Sequence, residues 1–239
     1  EQSQAQPMVV VESTGTGTAA GASVAGMTEP QPPLSDRSPS PTRPGSARSA
    51  TAAIVEDYRH NLETVRAQIV SAAERAGRDA AEIRLLPVSK TVPEERLRIA
   101  HAAGITHMGE NKVQEAKRKA ENLAGLGIHW AVIGHLQTNK AKDVAAFADE
   151  FQALDSLRVA EALDRRLQAA GRDLDVYVQV NSSGETSKFG LEPTEVPAFL
   201  KALPTYSSLR VRGLMTLAAH TEDEARIREC FRLMRSLRD

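Results

Sequence analysis

Only one cysteine occurs in the chain, Cys230, so no disulfide can form within it. That thiol falls among the apolar residues of a C-terminal helical pattern, where a buried structural thiol is the expected role, and such cysteine usage suits a reducing cytoplasm. Charge of one sign is missing too. The 30 Lys and Arg residues stand against 31 Asp and Glu, a formal net charge of -1, so the chain offers no basic field to steer it to a nucleic acid. No apolar run comes near the roughly 18 residues that a membrane helix needs. Val9-Val10-Val11 follows an acidic start and is too short for the apolar stretch of a secretory signal. The common local signatures are absent as well, with no GxGxxG, no Walker A loop, no Cys-His pair and no GxSxG elbow. His101 and His107 have no suitably placed companions, which argues against a metal site.

What is present is material for one fairly large domain, 239 residues of which 41% are hydrophobic. Residues 1–50 hold 7 of the 12 prolines and no aromatic residue. They cannot bury enough apolar surface to offset their ordering entropy, so a disordered extension is expected there, locally extended over the Pro-rich 30–44. The folded domain is expected over 51–239. It opens with a helix whose Ile54, Tyr58, Leu62, Val65 and Ile69 recur at steps of three or four, and Gly77 ends it.

From Ile83 onward short β-like runs alternate with longer helical ones, the signature of βα units and a parallel sheet. The strands are expected at Ile83–Lys90, Ile105–Asn111, His129–His135, Phe151–Ser156, Leu174–Asn181 and Leu209–Leu217. Helices fill the intervals, the first capped by Thr91 with Pro93, Glu94 and Glu95 in its first turn. This makes six units, whereas a closed (β/α)8 barrel has eight strands in about 250 residues. The fold class is therefore α/β, either an open six-unit sheet or a TIM-type barrel that lacks its C-terminal units.

In parallel α/β proteins the chemistry gathers at the C-terminal strand ends. Those ends carry Lys90, Glu110-Asn111, His135, Asp155-Ser156, Asn181 and Thr216. At a barrel mouth the Lys90 amine would be partly desolvated and ready to condense with an aldehyde; on spacing alone it can equally be a solvated residue leaving a strand. Asn111 can cap the following helix, and His135 can be a core histidine bonded to a backbone carbonyl. The loop from Asn181 to Gly190, with small residues and two glycines, can turn backbone amides toward an anion, Lys188 adding charge, or can simply connect two elements. Lys112, Lys117, Arg118 and Lys119 read as the solvated face of a helix.

Five motifs occur together in a fixed order: Pro87-Val88-Ser89-Lys90-Thr91, Gly109-Glu110-Asn111-Lys112-Val113-Gln114-Glu115, Ile133-Gly134-His135-Leu136-Gln137-Thr138-Asn139-Lys140, the loop from Val180-Asn181 to Lys188-Phe189-Gly190, and Arg212-Gly213-Leu214-Met215-Thr216. Over residues 54–239 the chain resembles the pyridoxal phosphate homeostasis protein family (the YggS or PROSC type), itself similar to the N-terminal barrel of bacterial alanine racemase. The resemblance implies pyridoxal 5'-phosphate as cofactor, held as an internal aldimine on Lys90, with Asn111 beside it and His135 and Met215 lining the pocket around the ring. It implies a carrier or regulator in vitamin B6 homeostasis with no established catalysis. PLP-dependent apoenzymes are the implied recipients, and the chain is expected to be a cytoplasmic monomer that binds neither nucleic acid nor membrane. Family members also have a Gly-Met-Ser-type motif and a final Arg-Ile-Gly-type strand that cradle the phosphate. The present sequence stops at Asp239 before either, which implies a barrel truncated after about six units and weakened cofactor binding. The alternative is a PLP-dependent amino-acid racemase, which wants a base on each face of the cofactor. A lysine aldolase that needs no cofactor is a third reading.

Overall fold

Runs of valine and leucine favour the pleated backbone, and the computed structural model, which describes residues 8–12 and 44–239, assembles such runs into one six-stranded sheet. Strand β1 (Met8–Glu12) and helix α1 (Pro44–Arg75) come first. Then follow α2 (Glu94–Ala102), β2 (His107–Glu110), α3 (Val113–Asn122), β3 (His129–Val132), α4 (Ala141–Phe147), β4 (Glu150–Leu154), α5 (Leu157–Ala170), β5 (Leu174–Gln179), α6 (Val196–Ala202), β6 (Leu209–Leu217) and α7 (Glu224–Arg238). The spatial order is β1-β6-β5-β4-β3-β2. Strands β2 to β6 are parallel and neighbour one another in chain order, as the wall of a TIM-type barrel requires.

The N-terminal part departs from expectation. Most of the extension expected over 1–50 lies outside the described residues. Within it, however, Met8–Glu12 pairs antiparallel with β6, from Met8 opposite Leu217 to Glu12 opposite Gly213. Three consecutive valines suit a pleated strand, and the N–H and C=O groups on that side of β6 pair with Met8–Glu12 among the described residues. Helix α1 also begins at Pro44, earlier than Thr51.

The strand expected at Ile83–Lys90 shrinks to a single bridge, Val88 parallel to Gly109. Gly109 donates its N–H to Pro87 O (2.9 Å), and Ser89 donates to Gly109 O (2.8 Å). Pro87 has no N–H to give, so the ladder goes no further on that side. The residues nevertheless run alongside β2 and complete the parallel series.

Helices cover the sheet with the faces that their periodicity assigns. Val159, Leu163 and Leu167 of α5 are buried against Phe151, Leu154, Val176 and Val178 in the main core. Leu97, Met108, Leu123 and Trp130 form a second cluster under α2 and α3. Cys230 is a buried free thiol beside Ala218 and Ala219. Gly77 and Gly171 stand at helix ends with φ of 65° and 61°, a conformation that glycine takes at no steric cost. Pro93, not Thr91, occupies the N-cap position of α2, while the Thr91 hydroxyl donates to Lys90 O (2.6 Å). No helix among the described residues is long and apolar enough to cross a membrane.

Candidate functional site

Parallel strands turn all their C-terminal ends to one side, so the expected residues share a rim. The Val88–Gly109 bridge sets their register: Lys90 and Asn111 each lie two residues beyond it, and alternation puts both on the sheet face opposite Ser89 and Glu110. Both side chains are exposed. Lys90 is therefore not the partly desolvated amine expected, and its ammonium has no hydrogen-bond or ion-pair partner among the described residues. Asn111 does not cap α3, whose N-cap position is Lys112.

A close approach joins the next two ends. A Cβ on Gly134 would lie 2.2 Å from Asn111 O, so only glycine lets the segments after β2 and β3 pack this tightly. His135 follows at once. Its ring stacks on Phe189, centroids 4.1 Å apart and planes 11° apart, and its Nδ1 is 3.6 Å from Asp155 Oδ2. It is thus an exposed ring held between an aromatic face and a carboxylate, and not a core histidine. Phe189 itself is 56% exposed, a flat apolar surface at the rim that sequence reading left unassigned. Met215 lies across the sheet in β6, wholly buried within the main core.

The 181–190 loop bonds chiefly to itself and its neighbours. Lys188 donates to Ala218 O (2.8 Å) and Glu185 Oε1 (2.9 Å), so its amine is engaged and does not present the charge expected for an anion. Hydrogen bonding from Lys188 holds the Glu185 carboxyl below the ordinary carboxylate range. Asn181 donates to Glu185 O (2.9 Å) and accepts from Ser183 Oγ (3.0 Å), and the Thr216 hydroxyl donates to Val180 O (2.8 Å). Gly190, at φ 117°, stands where a Cβ would meet Asn181 N at 2.7 Å. This is the connecting-loop arrangement, and it places Phe189 against His135.

Beneath Lys90 the structure corrects the reading of α3. Lys117 pairs with Asp143 (2.9 Å) and Arg118 with Glu94 (3.3 Å) near the surface, but Lys119 has no exposed side-chain area. Its Nζ donates to Ser89 O, Glu110 Oε1 and Glu115 Oε1, each at 2.7 Å. Ser89 Oγ donates to the same Glu110 oxygen (2.6 Å), and the Thr91 N–H donates to Glu115 Oε1 (2.8 Å). The Lys119 hydrogen bond, then the Thr91 N–H, hold the Glu115 carboxyl below its ordinary range against the opposing effect of burial. The missed signal lay in the spacing. Val113, Ala116 and Leu123 are buried at helical intervals, and position 119 falls on that same face.

The donor set fits an aldehyde-bearing cofactor better than a metal. A free primary amine stands on a firmly bonded strand end, with an amide and a stacked pair of rings alongside, whereas the described residues contain no group of three metal-ligating side chains.

Comparison with known proteins agrees with this chemistry. The alanine racemase N-terminal domain matches residues 58–239. The pyridoxal phosphate homeostasis protein of Pseudomonas aeruginosa is 41% identical over 177 residues, 74% of this chain and 77% of that protein. Its counterpart in Escherichia coli K12 is 39% identical over 183 residues, 75% and 78% of the two chains. The solved structure of PipY from Synechococcus elongatus with PLP bound superposes with a TM-score of 0.66 at 30% identity, covering 76% of this chain and 80% of that one. Alanine racemase from Streptomyces lavendulae reaches a TM-score of 0.58 at 17% identity, over 77% of this chain and 46% of that one, a likeness of fold alone. With its motifs at the strand ends of such a barrel wall, the chain belongs to the pyridoxal phosphate homeostasis protein family, built on the alanine racemase N-terminal domain.

Proposed function

We propose that this chain binds pyridoxal 5'-phosphate at Lys90 and acts as a carrier in vitamin B6 homeostasis. The carrying observation is the exposed, unpartnered Lys90 amine on a strand end whose backbone is tied down on both sides. Bound there, the cofactor would supply an aldehyde, the group that a primary amine such as that of Lys90 can hold. The chain's own residues hold and orient. Lys90 offers the amine, Asn111 offers a carboxamide one strand away, and the His135 ring, backed by Phe189, offers a flat face. Asp155 Oδ2 lies 3.6 Å from His135 Nδ1, at the edge of that ring. Met215 supports the rim from the core.

A carrier suits these residues better than a racemase. Proton abstraction from both faces of a substrate needs two opposed bases, and besides the Lys90 amine the rim residues described above offer one imidazole, His135, with one ring face covered by Phe189. The relatives' own name, homeostasis protein, points the same way. Recipients of the cofactor would be PLP-dependent apoenzymes, with the chain working in the cytoplasm as a monomer.

The test is titration of the chain and of Lys90→Ala with pyridoxal phosphate, followed by borohydride reduction and peptide mass mapping. A single phosphopyridoxyl adduct at Lys90, lost in the variant, is the expected result. Adducts scattered over surface lysines and unaffected by the substitution would refute the reading. Incubation with L-alanine, followed by chiral analysis, separates carrier from racemase: retained enantiomeric purity is expected.

A further inference from the structure

A fully buried lysine is costly to keep, and a buried ion pair is by itself weak support for a fold, since well-packed apolar residues often serve as well. The position of Lys119 supplies a different reason for it. An ammonium has three N–H donors, and all three of Lys119 are used, on Ser89 O, Glu110 Oε1 and Glu115 Oε1. Ser89 O belongs to the peptide group that precedes the Cα of Lys90. The Thr91 N–H belongs to the peptide group that follows it, and it donates to Glu115 Oε1, the very oxygen that Lys119 holds. Both peptide planes that flank Lys90 are thereby tied to one buried ammonium, the first directly and the second through one carboxylate.

We infer that Lys119 is a positioning residue, which aims the reactive Lys90 by clamping the two peptide groups on either side of it. Two further observations need such a clamp. Thr91 takes φ 62°, a left-handed conformation that costs a β-branched residue strain, so something must hold it. Glu110, buried in β2, accepts from Ser89 Oγ and from Lys119 together, which locks the preceding residue to the neighbouring strand. With φ and ψ of Lys90 set in this way, its Cα–Cβ bond points one way, and an exposed, flexible side chain starts from a rigid base.

The inference rests on the proposed cofactor reading, so the experiment has one arm without cofactor. In the full chain, Lys119→Met is combined with Glu110→Gln, which leaves no lone buried carboxylate, and Glu115→Ala is made separately. Without cofactor, hydrogen exchange is followed at the Thr91 amide. With pyridoxal phosphate and borohydride, the adduct at Lys90 is measured against adducts at the exposed Lys142 and Lys201 in the same digest. In folded variants Thr91 exchange is expected to quicken, and the Lys90 adduct to fall on the order of tenfold or more relative to the controls. Unchanged Thr91 exchange and unchanged Lys90 labelling in a folded double variant would overturn the clamp, whatever the melting temperature does. Should the double variant not fold, Glu115→Ala decides alone, since it removes the Thr91 acceptor from a partly exposed position and leaves the Lys119–Glu110 pair. If the unaltered chain forms no Lys90 adduct, the cofactor reading fails, while the exchange arm still decides the clamp.

Discussion

A partly buried imidazole that faces a second imidazole resists protonation, and His107 is in that situation. It stacks on His129 with centroids 4.7 Å apart, and burial, then the His129 charge, then Arg84, lower its pKa from the ordinary 6.5. Glu150 and Asp149 oppose the shift without reversing it. The folded chain therefore takes up this proton less readily than the unfolded chain. Its contribution to stability is complete above the ordinary value and is lost as the pH falls through the window beneath 6.5. Urea unfolding of the chain and of His107→Gln across that window should show a decline in the first that flattens in the second. At the rim, Gly134→Ala forces a methyl carbon against the Asn111 carbonyl, 2.2 Å away before relaxation. The expected loss is roughly 1–3 kcal/mol by denaturant titration, with Lys90 trapping weakened because the ends of β2 and β3 must separate. Neither effect could be read at these positions in the sequence. Both depend on which residue stands opposite.

Among the elements, the parallel strands from β3 to β6 and the helices between them follow the periodicity closely, because each apolar face is buried against the next element in the chain. Helix α5 shows the rules at work: the Ser156 side chain accepts from the Val159 N–H (3.3 Å), and Gly171 closes the other end. Ser156→Ala should cost about 1 kcal/mol by thermal or urea unfolding, without change in the pairing of β4 and β5. Two elements differ from the sequence pattern for identifiable reasons. The apolar run Ile83–Lys90 reads as a full strand, but Pro87 interrupts its donors and a single bridge remains. The charged stretch of α3 reads as solvated throughout, because a lysine that spends its three donors inside the fold has the same letter as one that spends them on water.

At the scale of the whole molecule, β1 closes one margin of the sheet by lying antiparallel along β6, and the Val88 bridge forms the other margin. Deleting residues 1–12 bares the β6 edge. Light scattering should then show concentration-dependent association, while the Lys90 adduct forms as before because the rim is untouched. The five parallel strands from β2 to β6 and the helices between them were determined by the sequence, since periodicity and short connections leave few arrangements open, whereas the antiparallel β1 and the reduction of Ile83–Lys90 to one bridge were not. Lys90, the residue proposed to hold the cofactor, was likewise marked by five motifs in order. Only the tertiary structure decided what surrounds that residue. The stacking of His135 on Phe189, the engagement of Lys188 by Ala218, and the burial of Lys119 beneath Ser89 and Thr91 each join residues well separated along the chain. Periodicity assigns a face to a side chain but not a partner, and a partner is what separates a solvated charge from a buried one.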